Sequence, residues 1–497
     1  MALKFGFVYD ERMLAHECLY DCSMEESPER CRLIYERLNQ DGLLKDAVRI
    51  PARPATNEEI TIGHPLGLVR QLESLKTNED CENYCKTKDY LWLQPSSLSA
   101  ARLALGSCMD LVKANVEKKI GNGFAIIRPP GHHSYGSQPQ GYCIFSNVAI
   151  VAKHTVDVLG INKLMIVDFD IHAANGTYET VKDDHRILLV SSHMYNCGTS
   201  WPFQKVFDYD SNDNNIFIPF NCSMNTENDL LAAYNHVIMP IAKEFQPETI
   251  LVSAGFDSGY YDAMLENGQA IKAPGYGYIV KMLEDLCPNR VLAFLEGGYF
   301  WKNYTECAAM MVRGLKGMSL PKIEPTARVN GSMCEVIWKA LYHHSKRWKF
   351  AKERLEQLQN QQEIMGLQRY SPPAFKLYLG HGFREHLEFV RDNERLKTRQ
   401  WLPRLTKEQE EIASAKIQNY IEVLSVHFLI SKYEFVDEPI ELNVDDELKQ
   451  MVWDEKAKAD CFLRNAKTCL PLYDGFVNYL QSKDGTFECF DKKLLNE

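Results

Sequence analysis

The chain has 497 residues, 56 Lys and Arg against 67 Asp and Glu, and a formal net charge of -11. An acidic chain repels phosphate backbones, so direct nucleic-acid binding is not expected. No stretch reaches the roughly 18 apolar residues of a membrane span, and no signal peptide is expected at the start; the odd count of 15 cysteines reads as reduced thiols of the cytoplasm or nucleus.

In chain order, the first short apolar run is Gly123-Phe-Ala-Ile-Ile-Arg128. A helical pattern over Ser146 to Leu159 follows, then the runs Lys163-Leu-Met-Ile-Val-Asp168 and Arg186-Ile-Leu-Leu-Val-Ser191. A second helical pattern, Asp229 to Phe245, precedes the run Thr249-Ile-Leu-Val-Ser253. A third, Tyr276 to Leu286, precedes Arg290-Val-Leu-Ala-Phe-Leu295. Continuous runs of this length, rich in β-branched residues, predict strands buried on both faces, hence a parallel sheet. Alternation with helices predicts an α/β layered fold. Beyond about residue 320 the spacing predicts charged amphipathic helices over Trp338 to Leu358 and Lys407 to Phe428, with a Gln/Asn run at Gln359 to Gln362 and a break at Ser371-Pro-Pro373. We expect a catalytic domain over 1–345 and a helix-rich extension over 346–497. The extension has no catalytic constellation, and Cys461, Cys469 and Cys489 lack paired zinc-finger spacing.

Ligands of parallel sheets bind at the carboxyl ends of the strands. The residues following the five runs are Pro129-Pro-Gly-His-His133, Asp168-Phe-Asp-Ile-His172, Ser191-Ser-His193, Ala254-Gly-Phe-Asp257 and Glu296-Gly-Gly-Tyr299. Asp170 and His172 lie two apart, so a strand-like backbone presents both to one side. With Asp257 as a third ligand they suit zinc or a similar divalent ion and leave a position open for water or substrate. His132 and His133 in a rigid turn suit a general base and acid, and Tyr299 suits a donor to a developing oxyanion. Each motif alone also fits a plainer reading: a solvated loop, a surface histidine pair, a core tyrosine. His16, Cys18, Cys22 and Cys31 are read as buried reduced thiols and a histidine rather than a metal site.

Together these motifs, with Gly141-Tyr-Cys-Ile-Phe-Ser-Asn-Val-Ala149 and Asn175-Gly176, resemble the zinc-dependent histone deacetylases over roughly residues 5–345. Pro54-Ala-Thr-Asn-Glu-Glu-Ile60 and Ala254-Gly-Phe-Asp-Ser258 are most similar to class II, within it the tubulin- and polyamine-deacetylase (IIb) branch. The resemblance implies a three-layer arginase/deacetylase-like fold, a central mainly parallel sheet between helices. It implies zinc on Asp170, His172 and Asp257, His133 as general base and acid, and His132 as its electrostatic partner. Asp168 and Asn175 become the residues that orient these histidines, and Tyr299 the oxyanion donor. Gly141, Tyr142 and Trp201 become the acyl-lysine channel. A potassium ion is implied at Asp168, Asp170, His172, Ser191 and Ser192, partly through backbone carbonyls.

The sequence departs from the family pattern at Ala173 and Ala174, at Tyr142 and Trp201 (usually phenylalanines), in the loop after Asp257, and in the Asp/Asn-rich stretch between Trp201 and Phe217. The expected activity is hydrolysis of N6-acetyl-lysine in a histone, tubulin or another protein. The alternatives are an acetylpolyamine deacetylase, an acyl-lysine-binding scaffold with a dead site, and a two-manganese ureohydrolase of the same sheet topology. Glu266 is a candidate acidic gate for a cationic substrate. The extension is expected to offer a surface for a corepressor or other protein partner.

Overall fold

The computed structural model describes residues 3–371, apart from 19–24, 213, 223, 261, 263–268 and 324–328; beyond these it describes 378, 380, 384, 434–437 and 448. Eight strands form one sheet: β1 Gly6–Val8, β2 Val48–Arg49, β3 Gly123–Ala125, β4 Leu164–Asp168, β5 Ile187–Met194, β6 Asn215–Phe220, β7 Thr249–Ala254 and β8 Val291–Leu295. Their order is β2-β1-β3-β8-β7-β4-β5-β6, and every neighbouring pair is parallel. Every residue of β4, β5, β7 and β8 is buried, as expected for a parallel sheet between two helical layers. The architecture is thus the α/β, arginase/deacetylase-like sheet expected from the sequence.

The five expected strands are β3, β4, β5, β7 and β8, and they lie side by side in the middle of the sheet. Register brings their ends level: Asp168 pairs with Ser191 on one side and Ser253 on the other, and Ala254 pairs with Leu295. The chemistry-bearing residues therefore emerge along one edge, from neighbouring strands.

Three strands of this sheet were not expected. β1 and β2 span three and two residues, too few for a pattern. β6 runs through Pro219, tolerated because β6 is an edge strand. The helices Asn147–Asp157 and Ala273–Leu286 stand where expected. The expected helix over 229–245 contains a π-helical turn at Tyr234–Ile238. The long helix Ser97–Val116 was not expected: it is buried on most of its circumference, so it lacks a strong amphipathic signal. Gly106 within it lies against backbone, where an added Cβ would stand 2.1 Å from the Arg53 carbonyl oxygen.

The expected helix over 338–358 is two helices, Gly331–His344 and Lys349–Ile364. The first packs on β6 and the second on the helix Met239–Phe245, burying Ala351, Leu355 and Leu358. The expected domain boundary at 345 falls in the turn between them. The expected helix over 407–428, Cys22, Glu266 and the three cysteines of the extension lie outside the described residues. Among the described residues no helix is long and apolar enough to cross a membrane.

Candidate active site

Asp168 ends β4, and the chain then bends through Asp170 to His172. Asp168 Oδ1 accepts the Asp170 amide at 3.0 Å, and Asp170 Oδ1 accepts the His172 amide at 3.0 Å. This ladder of side-chain-to-backbone bonds fixes the bend. Asp257 follows β7, and its Oδ1 accepts the Ile171 amide at 2.8 Å, tying the two strand ends together. Asp170, His172 and Asp257 each offer a ligand atom, all within 4.8 Å of one another. Nδ1 of His172 stands 3.2 Å from Asp170 Oδ1 and 3.3 Å from Asp257 Oδ2.

Two glycines make room for the carboxylates. A Cβ at Gly255 would stand 2.0 Å from Asp170 Oδ2, and one at Gly297 would stand 2.2 Å from Asp257 Oδ2. Asp257 Oδ2 is buried and makes no hydrogen bond among the described residues. Burial, then the neighbouring Asp170, push the Asp257 carboxyl up to about 7. Burial also opposes charge on Asp170, but His132 and His172 outweigh it and hold this carboxyl well below its ordinary value. An orphaned carboxylate oxygen facing a second carboxylate and an imidazole is what a divalent cation satisfies, and the N/O donor set fits zinc.

The tandem histidines follow β3. Nδ1 of His132 faces Asp168 Oδ2 at 3.0 Å, and Nδ1 of His133 faces Asn175 Oδ1 at 2.7 Å. The rings lie 3.8 Å apart, yet their partners differ in charge. Burial opposes the imidazolium of His132, but Asp170 and Asp168 outweigh it and raise its pKa to about 10. Burial, then the positive charges of His132 and His172, depress His133 well below the ordinary value. The carboxylates thus favour the imidazolium at His132, while burial and the neighbouring imidazoles favour the neutral form at His133. The Asn175 oxygen accepts Nδ1–H of His133, which leaves Nε2 as its basic atom.

Sequence reasoning missed the residues that hold this turn. Glu296, the first residue after β8, accepts the amides of Gly131 at 2.7 Å and His132 at 3.1 Å, and burial pushes it up to about 7. Arg30 donates to the carbonyl of Gly298 at 2.6 Å and to that of Glu296, and its guanidinium lies 5.0 Å from the centre of the Tyr299 ring. Buried Glu26 bridges Arg30 at 3.0 Å and Arg128 at 2.7 Å. Asp262 accepts the Tyr299 amide at 2.7 Å. Of these, only Glu296 and Arg128 lie inside quoted motifs. Glu26 and Asp262 come from loops and Arg30 from the first turn of the helix Glu29–Gln40, and only their buried charge marks them. Burial raises the Tyr299 phenol well above its ordinary value, so it stands as a hydrogen-bond donor.

An open cleft of about 350 Å³ leads to these groups, lined by Tyr90, His133, Gly141, Tyr142, His172, Trp201 and Tyr299. All three expected channel residues are in it, and Tyr90 joins them. Gly141 has φ +55, and a Cβ there would meet the His133 ring at 2.4 Å and Trp201 at 2.9 Å. Trp201 stands edge-on to His133 at 4.5 Å and to Tyr90 at 5.8 Å. The backbone carbonyls of Asp89 and Tyr90 accept the amides of Gly141 and Tyr142 at 3.0 and 2.8 Å. Tyr90 carries no sequence signal; its backbone lies at φ +48 in a loop.

Ser191 and Ser192 are buried in β5 beside Asp168, and the Ser191 hydroxyl lies 2.8 Å from His193 Nδ1. His16 bonds Ser97 Oγ at 2.7 Å, stacks on Trp92 and reaches Glu26 at 3.6 Å. With Cys31 buried, this first-loop cluster contributes no metal-ligand group among the described residues. Ala173 and Ala174 are buried next to the ligand loop.

Residues 24–315 match the histone deacetylase domain family. The human polyamine deacetylase HDAC10 is 34% identical over 357 residues, 69% of this chain and 53% of its own length. Histone deacetylase HDA1 of Candida albicans is 30% identical over 375 residues, 70% of this chain and 45% of its own. The crystal structure of the HDA15 HD domain superposes with a TM-score of 0.64 at 27% identity, covering 72% of this chain and 99% of that one. The chain spans about half the length of the curated relatives it matches.

Proposed function

The chain belongs to the histone deacetylase family, on its class II, IIb-like side, and we propose that it is a zinc-dependent hydrolase removing the acetyl group from N6-acetyl-lysine of a protein. The observation that carries this reading is the meeting of three metal-ligand side chains with a histidine pair of different hydrogen-bond partners, Asp168 and Asn175, beyond the ends of β3, β4 and β7.

Zinc on Asp170, His172 and Asp257 would supply Lewis-acid polarisation of the acetyl carbonyl and of the attacking water. The remaining work falls to the chain's own groups. His133, neutral and bonded through Nδ1 to Asn175, takes the water proton at Nε2 and returns it to the leaving amine. His132, bonded through Nδ1 to Asp168 and favoured as the imidazolium by Asp170 and Asp168, adds positive charge beside the developing anion. Tyr299 donates its phenolic hydrogen to the former carbonyl oxygen. The aromatic cleft sheathes the alkyl chain of the substrate. A potassium ion at Asp168 and Ser191 would be structural; no step depends on it.

A second reading, acetylpolyamine as substrate, is favoured by the polyamine deacetylases among the relatives. Histones, tubulin and other acetylated proteins are candidate substrates of the first reading, and the region after 345 a candidate site for a protein partner. Purified full-length protein should carry about one zinc per chain. It should release acetate from acetyl-lysine peptides, and a chelator should abolish this. Release from acetylpolyamines alone selects the second reading. Binding of acetyl-lysine peptides without any turnover selects the scaffold.

A further inference from the structure

After β5 the chain turns through Tyr195–Gly198 and carries Trp201 to the wall of the cleft. This loop is gripped from outside by a residue far along the chain. The Tyr378 hydroxyl donates to the carbonyl of Phe203 at 2.5 Å, two residues after Trp201. The Tyr378 ring lies against Gly198, three residues before Trp201, where an added Cβ would stand 2.4 Å from ring atom Cε2. Gly198 has φ +89, so its backbone already excludes most side chains. Gly380 completes the contact: a Cβ there would stand 2.2 Å from the Gly198 carbonyl oxygen. The Lys205 ammonium caps the Tyr378 ring at 5.9 Å.

These contacts straddle Trp201 on both sides. Bonds nearer in sequence also hold the loop: Gly198 and Ser200 bond Tyr195, and the Cys197 amide bonds Asn221. Phe203 has φ +59, so the residue whose carbonyl Tyr378 holds is in an unfavourable left-handed conformation. Arg384 lies 3.9 Å from Asp89 across the same rim, but both side chains are half exposed and the pair contributes little.

We propose that Tyr378 is a positioning residue for substrate recognition: from the region beyond the helix Lys349–Ile364 it clasps the 198–203 loop and sets the Trp201 wall of the cleft. The inference rests on reading that cleft as the acyl-chain channel. Its consequence is that the sequence after residue 345 helps to shape the substrate site although, among the described residues, it supplies no catalytic group.

The test uses full-length protein labelled with 5-fluorotryptophan, with the Trp201 resonance assigned by Trp201→Phe. Two variants loosen the clasp differently: Tyr378→Phe deletes the hydroxyl and keeps the ring, and Gly380→Ala forces the backbone off Gly198. In both, the Trp201 fluorine resonance should shift or broaden while the other tryptophan signals stay. KM for the acetylated substrate should rise about three- to tenfold with kcat within about twofold, the pattern of a lost binding contact. An unmoved Trp201 resonance in both variants overturns the proposal, whatever happens to melting temperature. So does a moved resonance with unchanged KM in an active enzyme. If the resonance moves but wild-type protein hydrolyses no acetylated amine, the clasp stands and the hydrolase reading falls.

Discussion

The floor of the cleft and the helical cover formed by residues 331–364 both bury polar atoms that lack hydrogen-bond partners among the described residues, but in opposite surroundings. In the floor, Asp257 Oδ2 lies among charges: His172 at 3.3 Å and Asp170 within the same 4.8 Å group. In the cover, both ring nitrogens of His344 and Nε1 of Trp348 are orphaned in a helix pair whose other buried side chains include Leu341, Ala351, Leu355 and Leu358. An unsatisfied atom facing complementary charges marks a place for a ligand. One with no complementary charge beside it costs stability and gains nothing in return. The floor should therefore fail through lost chemistry and the cover through lost folding.

The largest effect that would test this separation is in the floor. Asp257→Ala should lower zinc occupancy and turnover together, with about a thousandfold or greater loss of activity, because an open three-ligand site loses much of its affinity with one ligand. Elemental analysis beside an acetate-release assay measures both. Full activity with full zinc would remove Asp257 from the ligand set.

Tyr299→Phe comes next. It deletes one hydroxyl and keeps the ring beside Arg30 and edge-on to Tyr142 at 5.8 Å. The amide oxygen is nearly neutral in the substrate and anionic in the tetrahedral state, so the lost donor should reduce kcat about 100- to 1,000-fold. Zinc content, KM and melting temperature should stay close to wild type. A stability loss with unchanged kcat would make Tyr299 structural.

The floor was legible in the sequence because strand periodicity and strand ends do the placing. Asp170, His172, Asp257, His132, His133 and Tyr299 all follow continuous apolar runs, and parallel register brings such ends level. Glu26, Arg30 and Asp262 were not legible, since a buried Glu26–Arg30 ion pair and an aspartate that accepts distant backbone amides leave no local pattern. Tyr90 reaches the cleft on a residue with left-handed backbone, which no local propensity predicts. The cover was half legible: helical spacing showed at 338–358, but the break at 345–348 contains no proline or glycine. The chain turns there because Trp348 is drawn into the core beside Phe245, at 6.4 Å between ring centres, a tertiary cause.

In the cover, the largest effect expected is on stability. Leu358 is fully buried in the helix that packs on Met239–Phe245. Leu358→Ala should cost about 2–5 kcal/mol in denaturant unfolding, the usual range for a truncated core leucine. Turnover per folded molecule should change little. A large fall in kcat with unchanged stability would mean that the cover acts on the chemistry directly, and the separation between the regions would fail.

The smallest effect is a pH dependence that belongs to the cover alone. Burial, then the charges of His343 and Arg347, lower the His344 pKa from its ordinary 6.5 to about 3. The unfolded chain therefore binds a proton at this position between those two values while the folded protein does not. Stability from this residue is fully present above 6.5 and is lost progressively as pH falls toward 3. At pH 5 the loss amounts to roughly 2 kcal/mol, since each pH unit below the unfolded pKa and above the folded one contributes about 1.4 kcal/mol. His344→Leu cannot take up that proton, so its melting temperature should fall less than that of wild type between pH 7 and pH 5. His16, lowered to about 3, and His193, lowered to about 4, remain in the variant, so part of the acid sensitivity should persist. At pH 7 kcat should match wild type, because His344 lies outside the cleft lining. Parallel melting curves across that pH range for the two proteins would show that His344 meets the proton equally well folded and unfolded. The orphaned nitrogens would then have partners in solution, and the contrast between floor and cover would rest on Asp257 alone.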